Sequence, residues 1–384
     1  MATATGQVLT LLRDGGPASR ADLARASGLS SASLSKAAAV LMEQGILDEG
    51  PAEGGAGPGR PSLRLALRPR ARAAIGIHLS PGRASVALTD VLLGLCAQDS
   101  LDFDLALPPE DLAARTARLA QGVIEAAGLP RARLLGVGIG VPGGVDRTQR
   151  VNTHSAFTNW SDIPFADMFE QALGLPATLE HNATAIALAE ALFAEDRVAG
   201  RTLHILMGKG IGAGLAEHSP GLGADPARGP VEIGHIVLDP DGAPCRCGGR
   251  GCLETVFAEQ PLLAQAGLAA VPPEGLVAAA MAGAGWPALY GRFLHALATT
   301  VTLLAPQRIV LGGHLARAPE ALFEDLRRDL PARVMPQQRV GLTIARTGLE
   351  GPVGARGAAC VALERFFYRN GPAATLRLAR AARG

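Results

Sequence analysis

The chain has 384 residues, which at roughly 100–200 residues per domain means about two or three domains. Apolar side chains make up 48% of it and aromatic ones 4%, which rules out general disorder and leaves ample material for a core. With 36 Lys and Arg against 35 acids the net charge is +1, which excludes a global polyelectrolyte. Any nucleic-acid binding must come from a local patch.

The opening MATATGQ has no basic or apolar leader region, and no uninterrupted run of about 18 apolar residues follows. Neither a secretory signal nor a membrane span is expected, and the cytoplasm is the expected location. In chain order, residues 5–13 suit a short helix. Ser19 and Asp22 then stand at capping-box spacing before a helix that ends at Ser27-Gly28. Ser30 or Ser31 can cap a third helix, SASLSKAAAVLMEQ, whose Leu34, Val40 and Leu41 face a core. Two helices joined by a short Gly-containing turn make a helix-turn-helix. Ser31, Ser33, Ser35 and Lys36 at the start of the third helix, with Arg20 on the second, are candidate DNA contacts. Small hydroxyls and cations there can reach phosphates and base edges in a major groove.

Gly45-Ile46-Leu47 reads as the first strand of a wing, and residues 62–67 alternate at period two as its return. Between them GPAEGGAGPGRP is nearly pure Gly, Pro and Ala. Its Arg60, in Gly-Arg-Pro, can enter a minor groove. Residues 1–72 hold nine basic and six acidic side chains, so this end is the more positive one. The alternative is a small helical bundle used for dimerisation.

Beyond this segment the chain alternates short β-rich runs (AAIGIHL, LLGVGIGV, TLHILMG, RIVLGG) with amphipathic stretches at 111–127, 165–173, 183–194 and 319–330. That alternation predicts α/β architecture with parallel strands. Gly-rich turns are expected after three of the strands, at 76–82, 138–144 and 208–214. The segment GHIVLDPDGAPCRCGGRGCLE then carries His235, Cys245, Cys247 and Cys252. One imidazole and three thiolates satisfy a tetrahedral Zn²⁺ and leave no open position, so one structural zinc per chain is expected. Cys96 and Cys360 are isolated and read as buried thiols.

These residues resemble the ROK family, named for repressors, open reading frames and sugar kinases. GVGIGVPGGVD, EIGH, CRCGGRGCLE and RIVLGG look like its signature segments. The N-terminal helices plus GRP resemble the winged-helix half of its repressor branch. The resemblance implies a winged helix-turn-helix over 1–70 and a two-lobed, actin-like (ribonuclease H-like) sugar-kinase fold. Its lobes would span 71–182 and 183–384, with the C-terminal helix returning to the first lobe. It places Glu232, His235 and Glu254 on sugar hydroxyls, and Asn159 beside the sugar. His181 and Asn182 stand where the kinases carry Asn and the general-base Asp. An amide cannot take a proton from an alcohol at neutral pH, and general-base catalysis is typically worth about 10²–10⁴-fold. The phosphate motif departs too: His78 replaces an Asp, and Pro81 removes a backbone N–H. Lys209 replaces Thr in the second Gly-rich turn, where it can still meet phosphate.

The expectation is a sugar-responsive transcriptional regulator, a repressor of carbohydrate genes without kinase activity. As a homodimer or homotetramer it would bind a pseudo-palindromic double-stranded operator. The alternatives are an active ATP-dependent sugar kinase with an accessory DNA-binding domain, and a regulator controlled by a protein partner.

Overall fold

The computed structural model describes residues 3–51, 63–220, 227–272, 275–369 and 371. The N-terminal elements are α1 (Ala4–Gly15), β1 (Ala18–Ser19), α2 (Arg20–Ser27), α3 (Ser31–Glu43), β2 (Leu47–Pro51) and β3 (Leu63–Leu67). Local chemistry sets these boundaries. Ser19 Oγ accepts the Asp22 N–H at 3.2 Å. Asp22 answers not at the Ser19 backbone, as a capping box would, but by accepting the Ser19 hydroxyl at 2.7 Å. Gly28 closes α2 in the left-handed conformation, φ 69°, and Ser30 caps α3 by accepting the Ser33 N–H. Leu34, Ala37, Ala38 and Leu41 bury one face of α3. The wing strands pair antiparallel from Leu47↔Leu67 to Pro51↔Leu63, and β1 adds to β3. The first wing strand therefore begins two residues later than Gly45, whose φ of 65° makes it the turn.

The first lobe holds β4 (Ala73–Ser80), β5 (Arg83–Asp90), β6 (Leu95–Asp102), α4 (Pro109–Ala127), β7 (Leu134–Val141), β8 (Gly144–Asp146), β9 (Val151–Ser155), β10 (Trp160–Ile163), α5 (Phe165–Leu173) and β11 (Ala177–His181). Its main sheet runs β11-β7-β4-β5-β6, with a side sheet β10-β9-β8. The second lobe follows with α6 (Asn182–Phe193), β12 (Gly200–Met207), β13 (Ile211–His218), β14 (Arg228–Val231), α7 (Glu254–Phe257), α8 (Glu259–Ala266), α9 (Leu276–Met281), α10 (Trp286–Leu304), β15 (Arg308–Gly313), α11 (Glu320–Asp329), α12 (Pro336–Arg339) and β16 (Thr343–Arg346). Its sheet runs β14-β13-β12-β15-β16. The chain then forms α13 (Val353–Leu363) and a π-helical turn, Glu364–Tyr368.

The sheets are mixed, which corrects the expectation of parallel strands. β4–β5–β6 and β12–β13–β14 are antiparallel, while β11–β7–β4 and β12–β15–β16 are parallel. The cause is local: Pro81-Gly82 and Gly208–Gly210 are too short for a crossover and can only close hairpins. Gly76 and Gly138 lie inside strands, not in turns. A Cβ on Gly138 would come within 1.8 Å of the Ala358 carbonyl oxygen, so it is the close seat of α13 on β7. α13 packs in turn on α6, and α6 on β13, so two helices are stacked between the two sheets. Residues of α1 and α3 share a continuous core with Leu192, Phe367 and Tyr368, so the winged helix is docked on the body.

Candidate ligand cleft and Cys/His cluster

Both hairpins, the α6 N-terminus and the Cys-rich loop open onto one cleft of about 730 Å³ between the lobes. His181, Asn182, Glu232, His235 and Glu254 all line it, although they come from three separate segments. Glu254 starts α7 with its side chain buried. Its Oε2 accepts the Ile211 N–H at 2.9 Å, which fixes the carboxylate at the cleft wall. Glu232 is exposed, its Oε2 4.0 Å from His235 Nε2. His181 caps α6 with Nδ1 3.4 Å from Thr184 Oγ1. Burial pushes its imidazole below the usual range, against a smaller opposing pull from Glu232. Two carboxylates, two imidazoles and an amide around a concave pocket suit a ligand rich in hydroxyls.

Asn182 is buried, and its Nδ2 donates to the Leu79 carbonyl at 2.9 Å. A carboxylate there would face that carbonyl with acceptor against acceptor. Nearby, His78 of β4 has its Nε2 sealed from solvent and without a partner among the described residues. Burial pushes its imidazole down to about 4, so it is neutral at pH 7. Lys209 crosses the cleft: its Nζ donates to the Pro81 carbonyl at 3.0 Å, tying the hairpin of one lobe to that of the other. On the far side, Gly312 leaves room for the buried His204 ring, and His314 Nε2 lies 2.7 Å from Glu259 Oε2.

Asn159 does not line the cleft. It is exposed with φ 54°, a turn conformation that Asn tolerates. Its neighbour Trp160 is in the core, stacked against Phe103 and edge-on to Phe165. The cleft wall is Phe157 instead, with the Arg246 guanidinium 4.8 Å from its ring centre. No motif marks Phe157 in the sequence. Arg246 is marked only by lying inside the Cys-rich loop.

His235, Cys245, Cys247 and Cys252 form a cluster that could hold a metal ion, with all donor atoms within 4.8 Å of one another. Cys247 and Cys252 Sγ are 3.8 Å apart, and Cys245 Sγ is 3.6 Å from His235 Nδ1. His235 thus turns one nitrogen to the cluster and the other toward Glu232 and the cleft.

At the N-terminal end Ser31, Ser33, Ser35 and Lys36 are exposed together on the first turns of α3. Ser33 is partly engaged, accepting the Ser30 hydroxyl at 2.9 Å. Arg20 is spent internally, with its guanidinium on Glu49 of the wing and 3.7 Å from Met42 Sδ. Arg60 lies outside the described residues.

A winged helix joined to two α/β lobes around a polyol-suited cleft, beside a Cys/His cluster, defines a sugar-kinase-like protein with a DNA-binding type of N-terminus. The chain belongs to the ROK family, whose description matches residues 113–365. It is similar to the DNA-binding transcriptional repressor Mlc of Escherichia coli, 27% identical over 380 residues, 94% of this chain and 92% of that one. It is 30% identical over 259 residues to a glucokinase of Thermotoga maritima, 60% of this chain and 80% of the kinase. The crystal structure of a ROK family transcriptional regulator, a homologue of the same E. coli protein, covers 99% of this chain and 98% of its own. Its TM-score is 0.78 at 24% identity, which shows the shared fold.

Proposed function

We propose that this chain is a sugar-responsive, DNA-binding transcriptional repressor whose kinase-like body has lost phosphoryl transfer. The observation that carries the reading is Asn182, whose amide donates to a backbone carbonyl where the family resemblance places a general base. Lys209 supports it, because one donor of its ammonium holds the Pro81 carbonyl across the nucleotide side. The similarity to a repressor spans 94% of the chain and that to a glucokinase 60%.

In this reading residues 1–70 bind DNA, 71–182 and 183–384 form the lobes, and α3 presents Ser31, Ser33, Ser35 and Lys36 to the major groove. Two such helices in a homodimer or homotetramer meet half-sites of a pseudo-palindrome. The sugar lies among His181, Asn182, Glu232, His235 and Glu254. Zinc fits the Cys/His cluster. A tetrahedron with metal–sulfur bonds of about 2.3 Å has edges of about 3.8 Å, which is the Cys247–Cys252 separation. Four protein donors make it structural, and its role is to hold the loop that carries His235 and leads into Glu254. No helix among the described residues is long and apolar enough to cross a membrane, in keeping with work on DNA in the cytoplasm.

The test is a thermal-shift screen of zinc-loaded protein against free sugars, sugar phosphates and ATP, followed by binding to DNA selected in vitro. A ligand at 100 times its Kd adds about 2.7 kcal/mol. One free sugar is expected to raise Tm and release DNA while ATP stays silent. Sugar-dependent ADP release at an enzymatic rate would overturn the reading.

A further inference from the structure

The wing joins the first lobe at an arginine-rich recess that is separate from the sugar cleft. The chain leaves β3 through Arg68-Pro69-Arg70-Ala71-Arg72, a short 3-10 turn leading to β4. Arg133 approaches from the turn before β7, so four guanidiniums line a space of about 640 Å³. Among the described residues only two carboxylates share it, two fewer than the guanidiniums. Asp48 is paired with Arg68, and Asp90 Oδ1 accepts the N–H groups of Leu92 at 2.9 Å and Gly94 at 2.8 Å.

Arg72 donates to the carbonyl of its neighbour Ala71 at 2.8 Å. Burial, and then the charge of Arg133, hold it below the ordinary guanidinium range. The side chains of Arg70 and Arg133 make no hydrogen bond or ion pair among the described residues, and the charge of Arg70 is met only at longer range, by Asp90. Like charges held together with too few counter-charges cost the folded state free energy that a bound anion relieves. Guanidinium forks match a tetrahedral oxyanion in bidentate geometry.

The position of the recess selects the kind of anion. Leu67 pairs with Leu47, at the opposite end of the described wing strands from the Pro51↔Leu63 pair. The recess is therefore about 13 Å, one short strand, from that Pro51↔Leu63 pair. It has two walls: Gln44, Asp48 and Leu67 from the winged helix, and Arg72, Asp90 and Arg133 from the lobe. Its volume lies in the range of small-molecule sites, about 300–1,000 Å³.

We propose that this recess binds a small phosphate-bearing molecule through Arg70, Arg72 and Arg133, fixing the wing relative to the first lobe. The proposal is independent of the sugar reading, since no residue of this recess lines the cleft.

The experiment titrates full-length, metal-loaded protein with inorganic phosphate and with glycerol 3-phosphate, against chloride at matched ionic strength, by calorimetry and Tm. The variants are R72Q/R133Q and a control, R115Q/R118Q, on the exposed face of α4. Saturable binding is expected in the wild type and the control, weakened about tenfold or more in R72Q/R133Q. The apo R72Q/R133Q protein is expected to melt no lower than the wild type, because a repulsion has been removed, so lost binding is not lost folding. Equal binding by R72Q/R133Q, or no binding beyond chloride, overturns the proposal. DNA binding separates the two sources of phosphate. If R72Q/R133Q lowers the slope of log affinity against log salt by about one or two, these arginines meet DNA phosphates and the small-molecule site is overturned. An unchanged slope supports it.

Discussion

Asn182 shows how one atom changes what a site can do. Its Nδ2 is a donor that the Leu79 carbonyl needs, and a carboxylate cannot supply it. Asn182→Asp therefore restores the residue type of a base without restoring the site. The variant is expected to melt lower, with a cost of about 1–3 kcal/mol for the lost donor and the facing acceptors, and to release no ADP from ATP and sugar. Measured turnover in that variant would show the rest of the phosphate machinery to be intact. His78 gives a second prediction. Its folded value is about 4 against 6.5 for a free imidazole, so between those values the unfolded chain binds a proton that the folded chain does not. Stability is unaffected at pH 7 and falls as pH drops from about 6.5 toward 4. His204, pushed down to about 3 by burial and then by Arg308, acts in the same direction. His78→Leu is expected to flatten the decline of Tm over pH 6.5–4.5. An unchanged slope would mean that His78 is hydrated and titrates normally. The departures at 78, 81 and 182 were legible in the sequence as residue types. Their new partners were not, because Asn182–Leu79 and Lys209–Pro81 link residues more than a hundred positions apart.

At the scale of elements, what was legible is what a local window encodes. Ser19, Gly28 and Ser30 fix the ends of α2 and α3, because capping is a contact within three or four residues. The four β-rich runs became β4, β7, β12 and β15. Strand direction was misread, since it depends on loop closure and not on side-chain pattern. The strand glycines were misread as turns because a Gly reserved for helix packing carries no local mark. Gly138→Ala tests that role: the added Cβ meets backbone that cannot rotate away, and overpacking of this kind costs about 1–3 kcal/mol. Its Tm is expected to drop by several degrees, whereas Gly122→Ala on α4, where a Cβ meets nothing within 4 Å, is expected to hold or gain stability. Equal effects would place α13 elsewhere. The Cys-rich loop was legible because ligand spacing is itself a local pattern. If zinc and sugar bind as proposed, stripping the cluster with a chelator is expected to abolish sugar binding through His235 and Glu254. The circular-dichroism signal of the helices is expected to be largely retained, since the loop has isolated bridges and turns but no long helix of its own. Sugar affinity unchanged after metal removal would detach the loop from the site.

For the whole molecule the question is how a ligand in the cleft reaches the winged helix. One element that runs from the cleft toward it is α6, whose 12 residues span about 18 Å. Its first residue, Asn182, lines the cleft, and its last, Phe193, packs against Tyr368, with ring centres 6.0 Å apart. The Arg13 guanidinium of α1 lies 5.7 Å from the Phe193 ring and 4.9 Å from that of Tyr368. The same guanidinium is buried and ion-paired with Asp14 at 2.8 Å and Glu364 at 3.3 Å, while His218 Nε2 stands 3.9 Å from Asp14. Gly6 lets α1 approach the carbonyls of Tyr368 and Arg369 so closely that a Cβ would come within 2.6 Å. A closely packed contact of this kind does not stretch; it shifts as a unit or breaks. Lobe closure on a sugar would move α6 with the second lobe and carry α1, hence α3, with it. Coupling between two sites is typically worth about 5–150-fold in affinity. Phe193→Ala is expected to leave the Kd for sugar within about twofold, because residue 193 is at the far end of the helix. It should also cut the sugar's effect on DNA affinity toward one. The check is operator affinity with and without saturating sugar, for wild type, Phe193→Ala and Arg13→Met. Full coupling in both variants would mean that the signal bypasses α1 and runs through the wing base instead, where Arg68 to Arg72 make the other connection between the two halves of the chain.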